Sequence, residues 1–156
     1  MASWGTIATA EPKFAHAVQS VFDSHKHKVL ATLRRDGSPR LSGIEATFAA
    51  GELWLGMMPN SFKAHDLLRD PRMALHSATV DVELLQGDAK LSGRAIEATG
   101  PHAWDVLNLE AEIPEESHLF RIDVSEVSLT RIGEPRDHLV IESWSEARGL
   151  RSVKRY

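Results

Sequence analysis

Five consecutive residues, Pro59-Asn60-Ser61-Phe62-Lys63, bring a hydroxyl and an ammonium to the start of an amphipathic stretch, Ser61 to Arg69. A helix that opens there leaves its first backbone N–H groups without intrahelical partners, and the positive end of its dipole lies at the same place. A phosphate would be stabilised at such a corner, with Lys63 supplying a point charge and Ser61 a hydroxyl. Ser61 would also serve as an ordinary N-cap, Asn60 is an equally good cap, and Lys63 has the alternative of a solvated helix face. Arg40 could hold the same anion through its planar fork or sit as a rim arginine of a hairpin. Met57 and Met58 end an apolar run just before this loop, where core filling is the plain alternative for either side chain.

The elements that must position these residues follow from local patterns. Pro12 suits a first helical turn, and Phe14, Val18, Val21 and Phe22 recur at helical spacing, which predicts a helix over 12–24. Lys28 to Arg34 is strand-like, with Val29, Ala31 and Leu33 on one face. Asp36-Gly37 signals a hairpin into a second strand, Arg40 to Phe48, and Ala50-Gly51-Glu52 turns into a third, Leu53 to Met57. The helix over 61–69 should turn Ala64, Leu67 and Leu68 inward and stop at Asp70-Pro71. Strands over 72–78, 89–99, 118–129 and 138–144 follow, the second with Leu91, Gly93, Ala95 and Ile96 turned inward. Pro101 to Ala111 reads as a further helix, and Val80 to Asp88 as a loop. Residues 1–10 are small and polar and are expected to be disordered.

Six or seven strands joined mostly by hairpins favour a closed antiparallel barrel, because closure removes edge strands; a sandwich is the competing architecture. At 156 residues the chain fits one domain over 1–156. Its 42% apolar and 26% charged residues are ordinary for a soluble globular protein. A net charge of −4 gives no general attraction to nucleic acid or anionic lipid. The absence of cysteine excludes disulfides, thiol nucleophiles and thiolate metal sites. Neither a membrane span nor a secretory leader is visible, so a cytoplasmic location is expected. Of eight histidines only His25 and His27 are close in sequence, and no acidic third ligand accompanies them, so no metal site is expected. Glu110, Glu112, Glu115 and Glu116 read as a solvated loop, and the tail from Gly149 to Tyr156 either contacts an anion or is solvated.

The order of helix, VLATLRRDGSPRLSG, GELWLG and NSFKAHDLLRDPRMAL, with GRAIEA at 93–98 and LVIESWSEARG at 139–149, resembles the pyridoxamine 5′-phosphate oxidase-like split-barrel superfamily. The resemblance spans roughly 12–149. It implies a mainly β, six-stranded split antiparallel barrel with short helices, and a homodimer with two cofactor sites at its interface. The cofactor would be flavin mononucleotide (FMN) or the deazaflavin coenzyme F-420, acting in hydride transfer to or from a small organic substrate. The site residues implied are Lys63, Ser61 and Asn60 at the phosphate, Met57 and Met58 near the ring, Arg40 and Ser42 on the second strand, and Trp144 late in the chain. Two departures stand out. Phe62 takes the place of an arginine common before the motif lysine, and Gly56-Met57 replaces the Tyr-Thr type pair of true pyridoxamine phosphate oxidases. A barrel of this kind could also bind its ligand without turnover, as a carrier or sensor.

Overall fold

A computed structural model describes residues 1–156. The chain runs α1 (Trp4–Ala10), α2 (Pro12–Asp23), β1 (His27–Leu33), β2 (Pro39–Ala49), β3 (Glu52–Met57), α3 (Phe62–Arg69), β4 (Arg72–His76), β5 (Asp88–Glu97), β6 (His118–Ile132), β7 (Leu139–Ser145) and β8 (Gly149–Arg155). The strands form one antiparallel sheet in the order β3-β2-β1-β4-β5-β6-β7-β8, and β3 also pairs with β6. That last pairing closes β1 to β6 into a six-stranded barrel and leaves β7 and β8 as an extension. The strand β6 serves both parts. Phe120 to Thr130 pair with β5 along one edge, while on the other edge His118 to Arg121 pair with β3 and Glu126 to Ile132 with β7. The pairing with β5 shifts register between Ser92 and Gly93, where Ser125 is an extra residue on β6, so the bulge lets β6 bend around the closure.

The barrel is filled by alternate residues of each strand, among them Leu30, Leu53, Leu55, Leu75, Leu91, Phe120, Ile122 and Leu129. On β1 the inward face is Lys28, Leu30 and Thr32, not Val29, Ala31 and Leu33. Both polar members of that face find partners. The Lys28 ammonium donates to the His25 and Lys26 carbonyls at 2.7 and 3.1 Å, while Thr32 Oγ1 donates to Asp66 at 2.8 Å. Ile96 likewise faces outward, at 40% exposure.

Residues 1–10 are ordered, contrary to the expectation from their composition. Ala2 makes an isolated bridge to Val124, Ser3 Oγ caps α1 by accepting from the Thr6 amide at 3.1 Å, and Gly5 N–H donates to the Gly51 carbonyl at 2.7 Å. Trp4 supplies the anchor: its ring packs on Phe48 at 4.7 Å and its Nε1 donates to Gln19 at 3.1 Å. The anticipated helix over 101–111 is a single 3-10 turn at Ala103–Leu107 inside a long loop. The terminal segment, expected to contact an anion or be solvated, is the strand β8, paired in register with β7 and with most of its side chains exposed. No helix is long and apolar enough to cross a membrane.

Candidate functional site

The strand β3 ends at Met57, and a short turn carries the chain into α3. Asn60 occupies the left-handed region at φ 59°, which asparagine tolerates better than most residues, and Ser61 follows as the N-cap in extended geometry. Ser61 Oγ makes no capping bond. It is one of three buried side-chain polar atoms, with those of Glu52 and Asp88, that have no hydrogen-bond partner. A buried hydroxyl without a partner costs about 1–3 kcal/mol, and this one is covered by the chain itself. It sits where the first amide groups of α3 are also free.

Beside this corner lies a cavity of about 410 Å³. Its floor is the outer face of β2 and the end of β3, with Gly43, Glu45, Thr47, Gly56 and Met57. Met58 and Lys63 close one side, and His27 reaches the rim. Met57 and Met58 differ in character: Met57 is buried in the barrel core, and Met58 is 74% exposed. The opposite wall is apolar and comes from the loop after β5, with Trp104, Leu107 and Ile113. Glu45, whose sign would oppose an anion, lines this cavity and is exposed, with Lys26 3.3 Å away and His27 4.0 Å away.

On the other side of α3 a second groove of about 580 Å³ is rich in arginine: Arg34, Arg35, Arg40 and Arg69, against Asp36 and Asp66. Asp66 organises it. This carboxylate is buried, and it accepts from Arg40 Nε at 2.7 Å, Thr32 Oγ1 at 2.8 Å and Arg69 at 3.1 Å. Burial alone would push its pKa up, but the three hydrogen bonds and the charge of Arg40 outweigh burial and hold the carboxyl below its usual range. Asp66 takes the inward position on α3 that the helical pattern assigns to Leu68, which is 48% exposed. The Arg40 guanidinium lies over the Phe62 ring at 5.2 Å from its centroid, close enough for a cation–π contact.

The sequence-derived site residues therefore divide. Met57, Met58 and Lys63 meet at one cavity, Asn60 and Ser61 build the turn beside it, and Arg40 enters the arginine groove. Ser42 is half-buried on β2 between Arg40 and Ile44 and lines neither cavity. Trp144, on β7, is buried in the hydrophobic core at 4% exposure and lines neither cavity. His76 bonds its own neighbour, with Nδ1 2.8 Å from the Ser77 carbonyl oxygen. No cluster of three or more histidine, aspartate or glutamate side chains is arranged to hold a metal. Sequence reasoning passed over Trp104 and the loop wall, because a lone tryptophan among turn residues shows no periodicity. It also passed over Asp66, because an acid in an amphipathic helix reads as solvated.

No family profile matches the sequence, and no curated protein does. Solved structures do match it. PhzG from Burkholderia lata 383, in complex with tetrahydrophenazine-1-carboxylic acid, is similar at TM-score 0.66 and 12% identity, covering 96% of this chain and 91% of that one. A pyridoxamine 5′-phosphate oxidase-related, FMN-binding protein from Nostoc punctiforme PCC 73102 is similar at TM-score 0.66 and 13% identity, covering 97% and 99%. An F-420 reductase is similar at TM-score 0.55 and 15% identity, covering 70% and 94%. At these identities the likeness is one of fold. The chain shares the split-barrel fold of these structures.

Proposed function

We propose that this protein binds a phosphorylated flavin-type cofactor in the cavity between β2, β3 and α3 and serves as an oxidoreductase, passing hydride to or from a small organic substrate. One observation carries the reading. Lys63, in the first turn of α3, lines a cavity with a largely apolar wall that is large enough for a small molecule, and the start of that helix, with its unpaired first amides and the partnerless Ser61 hydroxyl, lies next to it in the chain. Anionic and planar parts of one ligand are thereby served by adjoining surfaces. When bound, the cofactor ring supplies the redox chemistry; the chain supplies the phosphate grip, an apolar enclosure and orientation.

Between the two cofactors, the arginine groove favours the deazaflavin F-420, whose oligoglutamate tail extends beyond the phosphate. FMN ends at the phosphate and would leave those arginines without a ligand. Arg40 also brings a guanidinium over Phe62, the position where an arginine precedes the lysine in many flavin-phosphate relatives.

The proposal includes a homodimer in the cytoplasm. Val29 at 40% and Leu41 at 72% exposure form an apolar patch on the outer face of β1 and β2, and Val29 pairs with Gly43 at the cavity floor. A second copy seated on that patch would complete the cavity and bury both side chains.

The test begins with the absorbance spectrum of the purified protein and the mass of any released ligand, followed by addition of each cofactor. A bound ring that a reductant bleaches and an organic acceptor restores supports the oxidoreductase. Bound cofactor that never turns over supports a carrier or sensor. Failure to bind either cofactor contradicts the proposal.

A further inference from the structure

The connection between β5 and β6 is far longer than it needs to be. The two strands are antiparallel neighbours, with Glu97 paired to Phe120, so a tight hairpin would join them. Instead the chain makes an excursion from Ala98 to Ser117. None of its side chains enters the hydrophobic core, yet it contributes Trp104, Leu107, Leu109, Ile113 and Pro114 to the cavity wall. The loop also carries Glu110, Glu112, Glu115 and Glu116, none of which lines the cavity, so it turns its apolar residues to the place where a ligand would meet them.

Trp104 is the largest of these and the most closely fitted. Its six-membered ring lies against Gly56 on β3, so near that a Cβ at position 56 would stand 3.1 Å from Cζ3 and 3.2 Å from Cη2. Gly56 has no positive φ to explain its identity. The space occupied by the indole does explain it. The glycine lets the ring settle onto the strand at the cavity floor, and Gly56 and Trp104 both line the same opening.

From this seat we propose that Trp104 is the ring-positioning residue of the site, a platform against which the flat tricyclic ring of the bound cofactor stacks. The inference rests on the cofactor reading above and adds to it the residue that holds the ring. Aromatic rings stack with an offset and gain affinity beyond the area they bury. The loop wall thus fixes the plane of the ring, and the α3 corner fixes its phosphate.

The test is a titration of wild-type protein, Trp104→Leu, Trp104→Phe, Gly56→Ala and Lys63→Ala with FMN and with F-420, recording both affinity and the emission of the bound ring. An indole in contact with such a ring quenches its emission by electron transfer. Wild-type protein should bind with strong quenching. Trp104→Leu should bind about three- to tenfold more weakly and recover emission in the bound state. Trp104→Phe should regain affinity without regaining the quenching, and Gly56→Ala, whose methyl displaces the indole, should weaken both. Full affinity and full quenching in Trp104→Leu, with Lys63→Ala still weakened, would overturn this inference alone. Wild-type protein that binds neither cofactor would overturn the cofactor reading and this inference together.

Discussion

Arg40 Nε donates to the Oδ2 of Asp66 at 2.7 Å, joining the second barrel strand to the inward face of α3. The pair sits beside Thr32 and Arg69, so one buried carboxylate ties β1, β2 and the helix that opens onto the proposed phosphate corner. Side-chain exposure is 4% for Asp66 and 23% for Arg40. Removing the charge leaves a part-buried guanidinium without its charged partner. Asp66→Asn is expected to destabilise the fold by about 2–4 kcal/mol, as measured by the denaturant midpoint. An unchanged midpoint would mean that the network contributes nothing to the barrel.

The same carboxylate sets a pH dependence. Its folded pKa is depressed, so its stabilisation is fully present above the unfolded value of about 3.9 and is lost as pH falls through the folded one. Asp70, lowered to about 2 by hydrogen bonds from Arg72, acts in the same direction and the same acid range. The stability gap between wild type and Asp66→Asn should be constant above about pH 5 and should narrow below about pH 4. Parallel unfolding curves for the two proteins down to pH 2 would contradict this assignment.

Gly93 on β5 lies opposite the bulge at Ser125 of β6. A Cβ there would stand 2.2 Å from the Asp123 carbonyl oxygen, which is backbone and has no rotamer to yield. Gly93→Ala should cost about 2–3 kcal/mol and lower the thermal midpoint by several degrees, whereas the same change at Gly43, which has open space, should be mild. Equal effects at the two positions would be inconsistent with the close approach.

Salt should separate the two anion surfaces. If F-420 lays its tail along Arg34, Arg35 and Arg69, its affinity falls more steeply with ionic strength than that of FMN. Arg35→Ser should flatten the F-420 dependence and leave FMN unaffected. Identical salt slopes for both cofactors would place the tail elsewhere.

Much of the architecture was legible because it rests on local signals. Asp36-Gly37 specified the hairpin, alternation outlined the strands, and Pro12 and Asp70-Pro71 bounded two helices. The failures have a common physical cause, which is that long-range partners decide which face is buried. Thr32 and Lys28 face inward because they meet Asp66 and two carbonyl groups, so the more apolar face of β1 is left outside. The N-terminal segment is ordered by Trp4 meeting Phe48 and Gln19, residues far from it in sequence. The polar strand β8 forms by backbone pairing with β7, which its composition does not advertise. At the site, Lys63 and Ser61 could be read from a helix start, whereas Trp104 depends on a glycine in another element.

The central claim is that a phosphate nests where β3 hands over to α3. Calorimetric titration of FMN, of F-420 and of the phosphate-free form of each into wild-type protein and Lys63→Ala tests it directly. Wild type should favour at least one phosphorylated cofactor over its phosphate-free form by tenfold or more, and Lys63→Ala should lose about 1.5–3 kcal/mol of that preference, the scale of a hydrogen bond to a charged group. Equal affinities with and without the phosphate, or a preference that Lys63→Ala leaves intact, would contradict the claim.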